Sequence, residues 1–439
     1  MLKNSYRLDV NGWVYLYLEG EPFEMGYQHG YHVGERIKKA IDRVALYGAE
    51  ILKRPWSFYR ETAERFYEPK LSEELKMELE GIAKGAKERG VNIDFHDVVA
   101  LNGQFDTLTY HYWLKSKEGK VSPAPGGGCS AFIATGSATK NGEIIMAHNS
   151  WWSYLISRDW DVMAYYRPNS GHEILMQSYP GFVWSGTDWY INSAGLMVTE
   201  TTLTCAITFN PNGTPIFIRA REAIQSSDSI NKWMDIIVNN NNGGYANDWL
   251  IGDAKTREIA FLELGLEHRM TKKSNDGVFV SSNLALDMEV RKETAFDYID
   301  TATSATARFV RWNQLINNFR GQIDIEVAKR FLADHFDTSQ GREIPSRCTL
   351  CGHVDSDPRG IPEVEWGPYY PSGCFDGKVT SSSLALDGST WAHWGKPCGQ
   401  DFHAKQFLSE HPEYKWQAPQ LDDIASYPWT HFTAKFKAK

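Results

Sequence analysis

The residues best placed to do chemistry stand where a polar stretch meets an apolar one, at Gly126-Gly127-Gly128-Cys129-Ser130. Lys115 to Gly128 is rich in Pro and Gly and lacks periodicity, which predicts an exposed linker. Cys129–Thr135 then alternates as a strand. Glycine permits the strained backbone that a thiol needs to reach the carbonyl just before it. An N-to-S acyl shift followed by hydrolysis between Gly128 and Cys129 would leave Cys129 as a new N-terminus. Its α-amine, with an ordinary pKa of about 7.7–8, can take the thiol proton, so nucleophile and base reside in one residue. The pentapeptide alone equally permits a buried structural cysteine after a Gly-rich loop.

A second strand pattern, Glu143–His148, follows a Lys140-Asn141-Gly142 turn signal and runs into Ala147-His148-Asn149-Ser150-Trp151-Trp152. A hairpin through that turn sets His148 and Asn149 beside Cys129. Aromatic residues make up 13% of the chain, 16 of them Trp. Trp151, Trp152, Trp184 and Trp189 therefore read either as an apolar acyl pocket or as core.

The elements around this hairpin are mixed. Tyr6–Leu18 alternates as a strand. Helical periodicity covers Phe23 to Leu52, Ser72 to Arg89 and Phe95 to Trp113. Further strands are predicted at Trp160–Arg167, Glu173–Ser178, Gly195–Thr202, Asp248–Asp253, Glu258–Leu264 and Val278–Ser281. Helices are predicted at Ile216–Gln225, Ser229–Asn239, Ala307–Asn318 and Ile325–His335, ahead of an irregular Pro/Gly/Trp-rich tail. Helices, then strands, then helices and strands again predict a layered α+β body rather than βαβ units.

A net charge of −9 over 439 residues argues against a nucleic-acid partner, which demands a basic face. The Lys272-Lys273 pair and the Lys435-to-Lys439 tail are short solvated runs. No stretch reaches the roughly 18 apolar residues of a membrane helix. Asp9, Asn11 and Glu19 interrupt any signal-like region. The expectation is a cytoplasmic protein, or an exported or lysosome-like one if a leader precedes this numbering. Oligomeric state is not legible.

The six cysteines are too sparse for a disulfide scaffold. Cys348-x-x-Cys351-Gly352-His353, with Cys374 and Cys398 beyond, raises a zinc reading. The second half lacks a matching pair, so Cys351 and His353 are expected to pack under the tail, and neither metal nor cofactor is expected. Asp355, Asp357 and Asp376 read as loop residues rather than a calcium site.

GGGCSAFIATGSATKNGEIIMAHNSWW, from Gly126 to Trp152, resembles the nucleophile hairpin of the self-processing acyltransferase/hydrolase group of N-terminal-nucleophile enzymes, which includes penicillin acyltransferase-like and phospholipase B-like proteins. Gly20 to Gly30 (GEPFEMGYQHG) and Glu80 to Ala86 (EGIAKGA) are similar to that group's N-terminal motifs. Asn192 to Thr202 is similar to the Glu-Thr-Thr element of the phospholipase B-like branch, and Tyr245 to Trp249 to its Asn-x-Trp segment. The resemblance implies a four-layer αββα sandwich, with residues 1–128 released as a separate but still packed chain and 129–439 as the catalytic body. It implies Cys129 as nucleophile, His148 shaping or polarising the site, Thr201 lining it and Asn247 donating to the oxyanion. Asn149, Trp151 and Trp152 are expected at the substrate. No arginine is assigned the family's active-site role, Arg269 included. The expected reaction is cleavage of an N-acyl amide through a thioester, on a small-molecule acyl substrate, lipid-like ones included. Hydrolysis of a phospholipid or other ester is the alternative, and a non-catalytic binding protein of the same fold is the alternative from another class.

Overall fold

A computed structural model describes residues 1–119 and 128–434; Gly126 and Gly127 of the linker and the Lys435–Lys439 tail lie outside the described residues. Two sheets organise the α+β body. The larger has nine strands, running from Tyr6–Val10 at one edge through Trp13–Gly20, Val162–Pro168, Ile174–Ser178, Tyr190–Asn192, Leu196–Thr202, Asn247–Asp253 and Ile259–Leu264 to Arg269–Ser274. Its pairs are antiparallel except that Trp13–Gly20 runs parallel to Val162–Pro168, with Val14 opposite Val162. The smaller sheet has six strands, in the order Gly277–Ser281, Ser130–Gly136, Gly142–Asn149, Asp376–Ser381, Ser389–Trp394 and Thr430–Thr433.

The sheets pack face to face, and backbone comes close at Gly252. A Cβ there would meet Ile133 Cδ1 at 3.1 Å and Ile144 Cδ1 at 3.2 Å. Helices Pro22–Tyr47, Ile216–Ser226 and Ile230–Val238 contact the nine-stranded sheet, while Ser304–Asn318 and Ile325–Leu332 contact the six-stranded one. Because both sheets are covered, their central strands are buried on both faces, as in Trp13–Leu18, where every residue is buried.

The two N-terminal glycine motifs have a packing cause. Pro22–Tyr47 and Glu73–Glu88 cross so closely that a Cβ on Gly30 would lie 1.9 Å from the Ile82 carbonyl oxygen, and one on Gly85 would lie 2.1 Å from that of Tyr27. His29, immediately before Gly30 in the first motif, is buried. It accepts the Gly181 amide at Nε2 (2.9 Å) and meets the Tyr166 hydroxyl at Nδ1 (3.1 Å).

Several elements differ from the sequence expectation. Tyr6–Leu18 is a hairpin and not one strand, since Asn11 and Gly12 hold φ of 47° and 79° in the mirror-image turn that such a pair favours. Phe95–Trp113 breaks at Gly103, where a Cβ would strike the Tyr67 ring at 2.4 Å, giving Phe95–Asn102 and Gln104–Lys117. Lys115 to Lys117 accordingly belong to a helix rather than to the linker. The tail is not irregular throughout, because three strands of the smaller sheet lie in it.

Candidate active site

The turn at Asn141-Gly142 closes the expected hairpin, with Gly142 at φ 70°. Its register sets Ala131 opposite His148 and Ser130 opposite Asn149. Cys129 therefore lies at the mouth of the six-stranded sheet, one residue before its strand. From the facing sheet, Leu196–Thr202 brings Glu200 to the same point. Cys129, His148 and Glu200 each offer a sulfur, nitrogen or oxygen atom within 4.8 Å of the others, and all three are buried.

Alternation along the strand decides what Glu200 and its neighbours face. Thr202 shares the Glu200 side and lines a cavity with Cys129, Ser150, Trp151, Trp152 and Tyr245. Thr201 points the other way. Its hydroxyl meets that of Ser281, accepts the Asn283 amide at 3.0 Å, and stands behind the site rather than lining it. Asn149 also faces away, donating to the Leu332 and Leu350 carbonyls at 3.1 and 2.9 Å. Trp151 and Trp152 border the cavity together with Trp160, Phe105 and Leu108. Trp184 and Trp189 are core, the former stacked on Phe182 and the latter donating to Thr390.

Asn247 reaches the cluster through Glu200. In the amide orientation that satisfies both ends, its nitrogen donates to Glu200 Oε2 at 2.8 Å and to the Ala246 carbonyl at 2.9 Å. The Tyr245 hydroxyl donates to the other oxygen, Oε1, at 3.1 Å. Glu200 was legible only as part of a motif, yet it ties the asparagine to the thiol. Burial pushes its carboxyl up to about 8, opposed by Tyr245, Lys378 and Thr202. Asp188, which accepts from Tyr190 at 3.0 Å, is raised well above the carboxylate range by burial and by Glu200.

The electrostatics favour neutral groups. Burial, then Glu200, pushes the Cys129 thiol up, while the Trp151 amide and Lys378 pull it down. Burial, then Lys378, holds the His148 imidazole well below its ordinary value. The Lys378 ammonium is fully buried opposite His148 on the neighbouring strand. It is paired with Asp376 at 3.0 Å and donates to Ser150 and Gln177. Burial lowers the Lys378 ammonium from its ordinary value, Asp376 opposes that fall, and the pair acts on the thiol in opposite senses.

Sequence reading missed Arg308. This buried side chain donates to the Cys129 carbonyl, to Ser130 Oγ and Asn283 Oδ1 at 3.0 Å each, and to Ser304 Oγ at 3.1 Å. Its guanidinium lies 4.5 Å from the centre of the Trp151 ring. Among the described residues it has no carboxylate partner, and burial lowers it to about 10, with Cys129 acting in the opposite sense. Arg269, by contrast, is exposed on the last strand of the larger sheet. No signal in the Ala307–Asn318 periodicity distinguished Arg308 from a solvated helix residue.

Residues 60–267 match the family described as Phospholipase B, a stretch that contains Cys129, His148, Glu200 and Asn247. Over that stretch the chain is similar to proteins of that family. Among similar proteins, Phospholipase B-like 1 of Homo sapiens is 33% identical over 141 residues, covering 29% of this chain and 25% of that protein. Phospholipase B of Crotalus adamanteus is 25% identical over 298 residues, 62% of this chain and 52% of that one. An uncharacterized protein of Archaeoglobus fulgidus is 28% identical over 260 residues, 56% and 42% respectively. The matches thus span between a quarter and about half of these relatives' own lengths. No helix of the described residues is long and apolar enough to cross a membrane.

Proposed function

We propose that this chain is a cysteine-dependent acyl hydrolase that matures by cutting itself between Gly128 and Cys129. The observation that carries this reading is the convergence of Cys129, His148 and Glu200 at the start of a strand, directly after Gly128. The facing sheets with helices on their outer sides support the four-layer N-terminal-nucleophile arrangement.

In maturation the Cys129 sulfur attacks the Gly128 carbonyl carbon. Its proton passes to the departing Cys129 nitrogen as the C–N bond breaks, leaving a Gly128 thioester. Water then hydrolyses the thioester to a Gly128 carboxylate and a free thiol. His148, held neutral, is the base at hand for the first proton. The close packing of residue 128 on Trp151, where a Cβ would lie 2.2 Å from the indole, fixes the scissile peptide against the ring.

In turnover the freed α-amine takes the thiol proton and returns it to the leaving group. The acyl group rests on sulfur until water releases it. Trp151, Trp152, Trp160 and Phe105 give the cavity an apolar wall suited to an acyl chain. The likeness to proteins named phospholipase B favours a hydrolase acting on a lipid ester. An N-acyl amide is the second substrate class, since the thioester chemistry serves both.

Intact mass of the purified protein tests maturation, with Cys129→Ala expected as one uncut chain. Fatty acid release from phosphatidylcholine and from N-acyl amides tests the substrate. An uncut wild-type chain whose Cys129 resists thiol labelling, with no acid released from either class, would sink the proposal.

A further inference from the structure

A second cluster lies in the C-terminal third, outside the candidate active site. His335, Cys351, His353 and Cys398 each present one nitrogen or sulfur, and these four atoms lie within 4.8 Å of one another. His353 Nε2 stands 3.0 Å from His335 Nε2, 3.7 Å from Cys351 Sγ and 3.6 Å from Cys398 Sγ. One ring nitrogen has one proton or one lone pair, and hydrogen bonding satisfies only one of these three neighbours at a time. A tetrahedral ion satisfies all of them. With metal–nitrogen bonds of about 2.0–2.1 Å and metal–sulfur bonds of about 2.3 Å, the edges of such a site are about 3.3 Å between nitrogens and about 3.6 Å between nitrogen and sulfur. The observed separations are those edges to within a few tenths of an ångström.

We infer that these four residues form a structural zinc site of the two-cysteine, two-histidine type. The backbone holds the donors in place independently of an ion. The Cys351 amide donates to the Asp334 carbonyl at 3.1 Å, that of His353 to Ser346 at 3.0 Å, and the His335 carbonyl accepts from Ile344 at 2.9 Å. Binding releases the two thiol protons, and the two thiolates neutralise the dication, so the half-buried set carries no net charge. On binding through Nε2, His353 shifts its proton to Nδ1 and gives up the Lys396 contact there. Lys396, 3.4 Å from that nitrogen, retains its 2.7 Å bond to Asp355. The spacing that first raised zinc, Cys348 with Cys351, is not the ligand pair. Cys348 Sγ donates to the Ala302 carbonyl and Cys374 Sγ to that of Asp376.

The site ties together the end of the Ile325–Leu332 helix, the loop through Cys351 and the turn after Ser389–Trp394. That loop also supports the catalytic hairpin. The Leu350 carbonyl accepts from Asn149 and from the Trp151 indole, and a Cβ on Gly352 would lie 2.1 Å from that indole. The ion's role is therefore to fix the wall on which Trp151 rests.

Full-length protein, expressed with added zinc, purified in a non-chelating reductant and desalted, is assayed by elemental mass spectrometry. About one zinc per chain is expected. Zinc should persist in Cys129→Ala and Cys348→Ser and fall about tenfold or more in Cys398→Ser. His335→Cys keeps four donors, so it retains the metal and, after cobalt exchange, gains thiolate-to-cobalt charge-transfer absorption over the wild type. This arm stands even if Cys398→Ser fails to fold. Zinc lost with Cys129→Ala but kept with Cys398→Ser would move the ion to the Cys129–His148–Glu200 set and overturn the assignment. Reduced protein that holds no zinc and develops no tetrahedral cobalt spectrum overturns it too.

Discussion

Asn247 donates its side-chain amide to Glu200 at 2.8 Å, across neighbouring strands of the larger sheet. The asparagine that the family resemblance assigns to the oxyanion is thus held by a carboxyl that also stands beside the Cys129 thiol. Glu200 bears on both the orientation of the Asn247 amide and the electrostatics of the Cys129 thiol.

That carboxyl makes stability depend on pH. Its folded value, about 8, lies above its ordinary 4.5. A proton held more tightly in the folded state stabilises that state fully below the unfolded value, and the contribution is lost as pH rises through the folded one. Glu200→Gln, which mimics the protonated form, should flatten the fall in stability between about pH 4.5 and 8. Urea midpoints across that window check it, and a wild-type-like slope in the variant counts against Glu200 as the group concerned.

Cys129→Ala should abolish cleavage and lower acyl release by about a thousandfold or more, as loss of a nucleophile does. Cys129→Ser retains an attacking oxygen and should cut slowly. Electrophoresis of freshly expressed protein over time, with acid release measured in parallel, separates the two variants.

Gly128→Ala places a methyl carbon 2.2 Å from the Trp151 ring. Either the indole or the scissile peptide must shift, so cleavage should slow by about tenfold to a hundredfold, the scale of a 1 Å misplacement. The double variant with Trp151→Ala makes room for the methyl and should recover part of the rate. No recovery would locate the defect elsewhere.

Arg308→Lys preserves charge but not the planar fork that reaches Cys129, Ser130, Asn283 and Ser304. A loss of about 2–4 kcal/mol in unfolding free energy is expected from the buried acceptors left unpaired. Denaturant titration measures it, and a change below about 0.5 kcal/mol, the range of ordinary surface substitutions, rules out this role.

The hairpin carrying Cys129 and His148 was legible because its strands are short and apolar and its turn carries Asn-Gly. Glu73–Glu88 was legible from its periodicity, and Ser72 caps it by accepting the Leu75 amide. What escaped was polar chemistry inside the body. Asp376–Ser381 reads DGKVTS and looks like a loop, yet every residue is buried, with Lys378 satisfied by partners distant in sequence. Arg308 and His335 escaped for the same reason, since nothing local marks a charged or metal-binding residue whose partners come from other elements. The reverse error was Thr201, where a motif gave the residue but only strand alternation reveals which neighbour faces the cavity.

The parallel pairing of Trp13–Gly20 with Val162–Pro168 has a kinetic consequence for a cut chain. The strands before the cut remain part of the nine-stranded sheet, and the Pro22–Tyr47 helix still covers it. The cleavage proposed above would leave the particle's mass in solution essentially unchanged but would turn refolding from a first-order into a second-order process. Matured protein that is melted and cooled must find its missing segment by diffusion. Its recovery should rise with concentration, where that of the uncut Cys129→Ala chain should not.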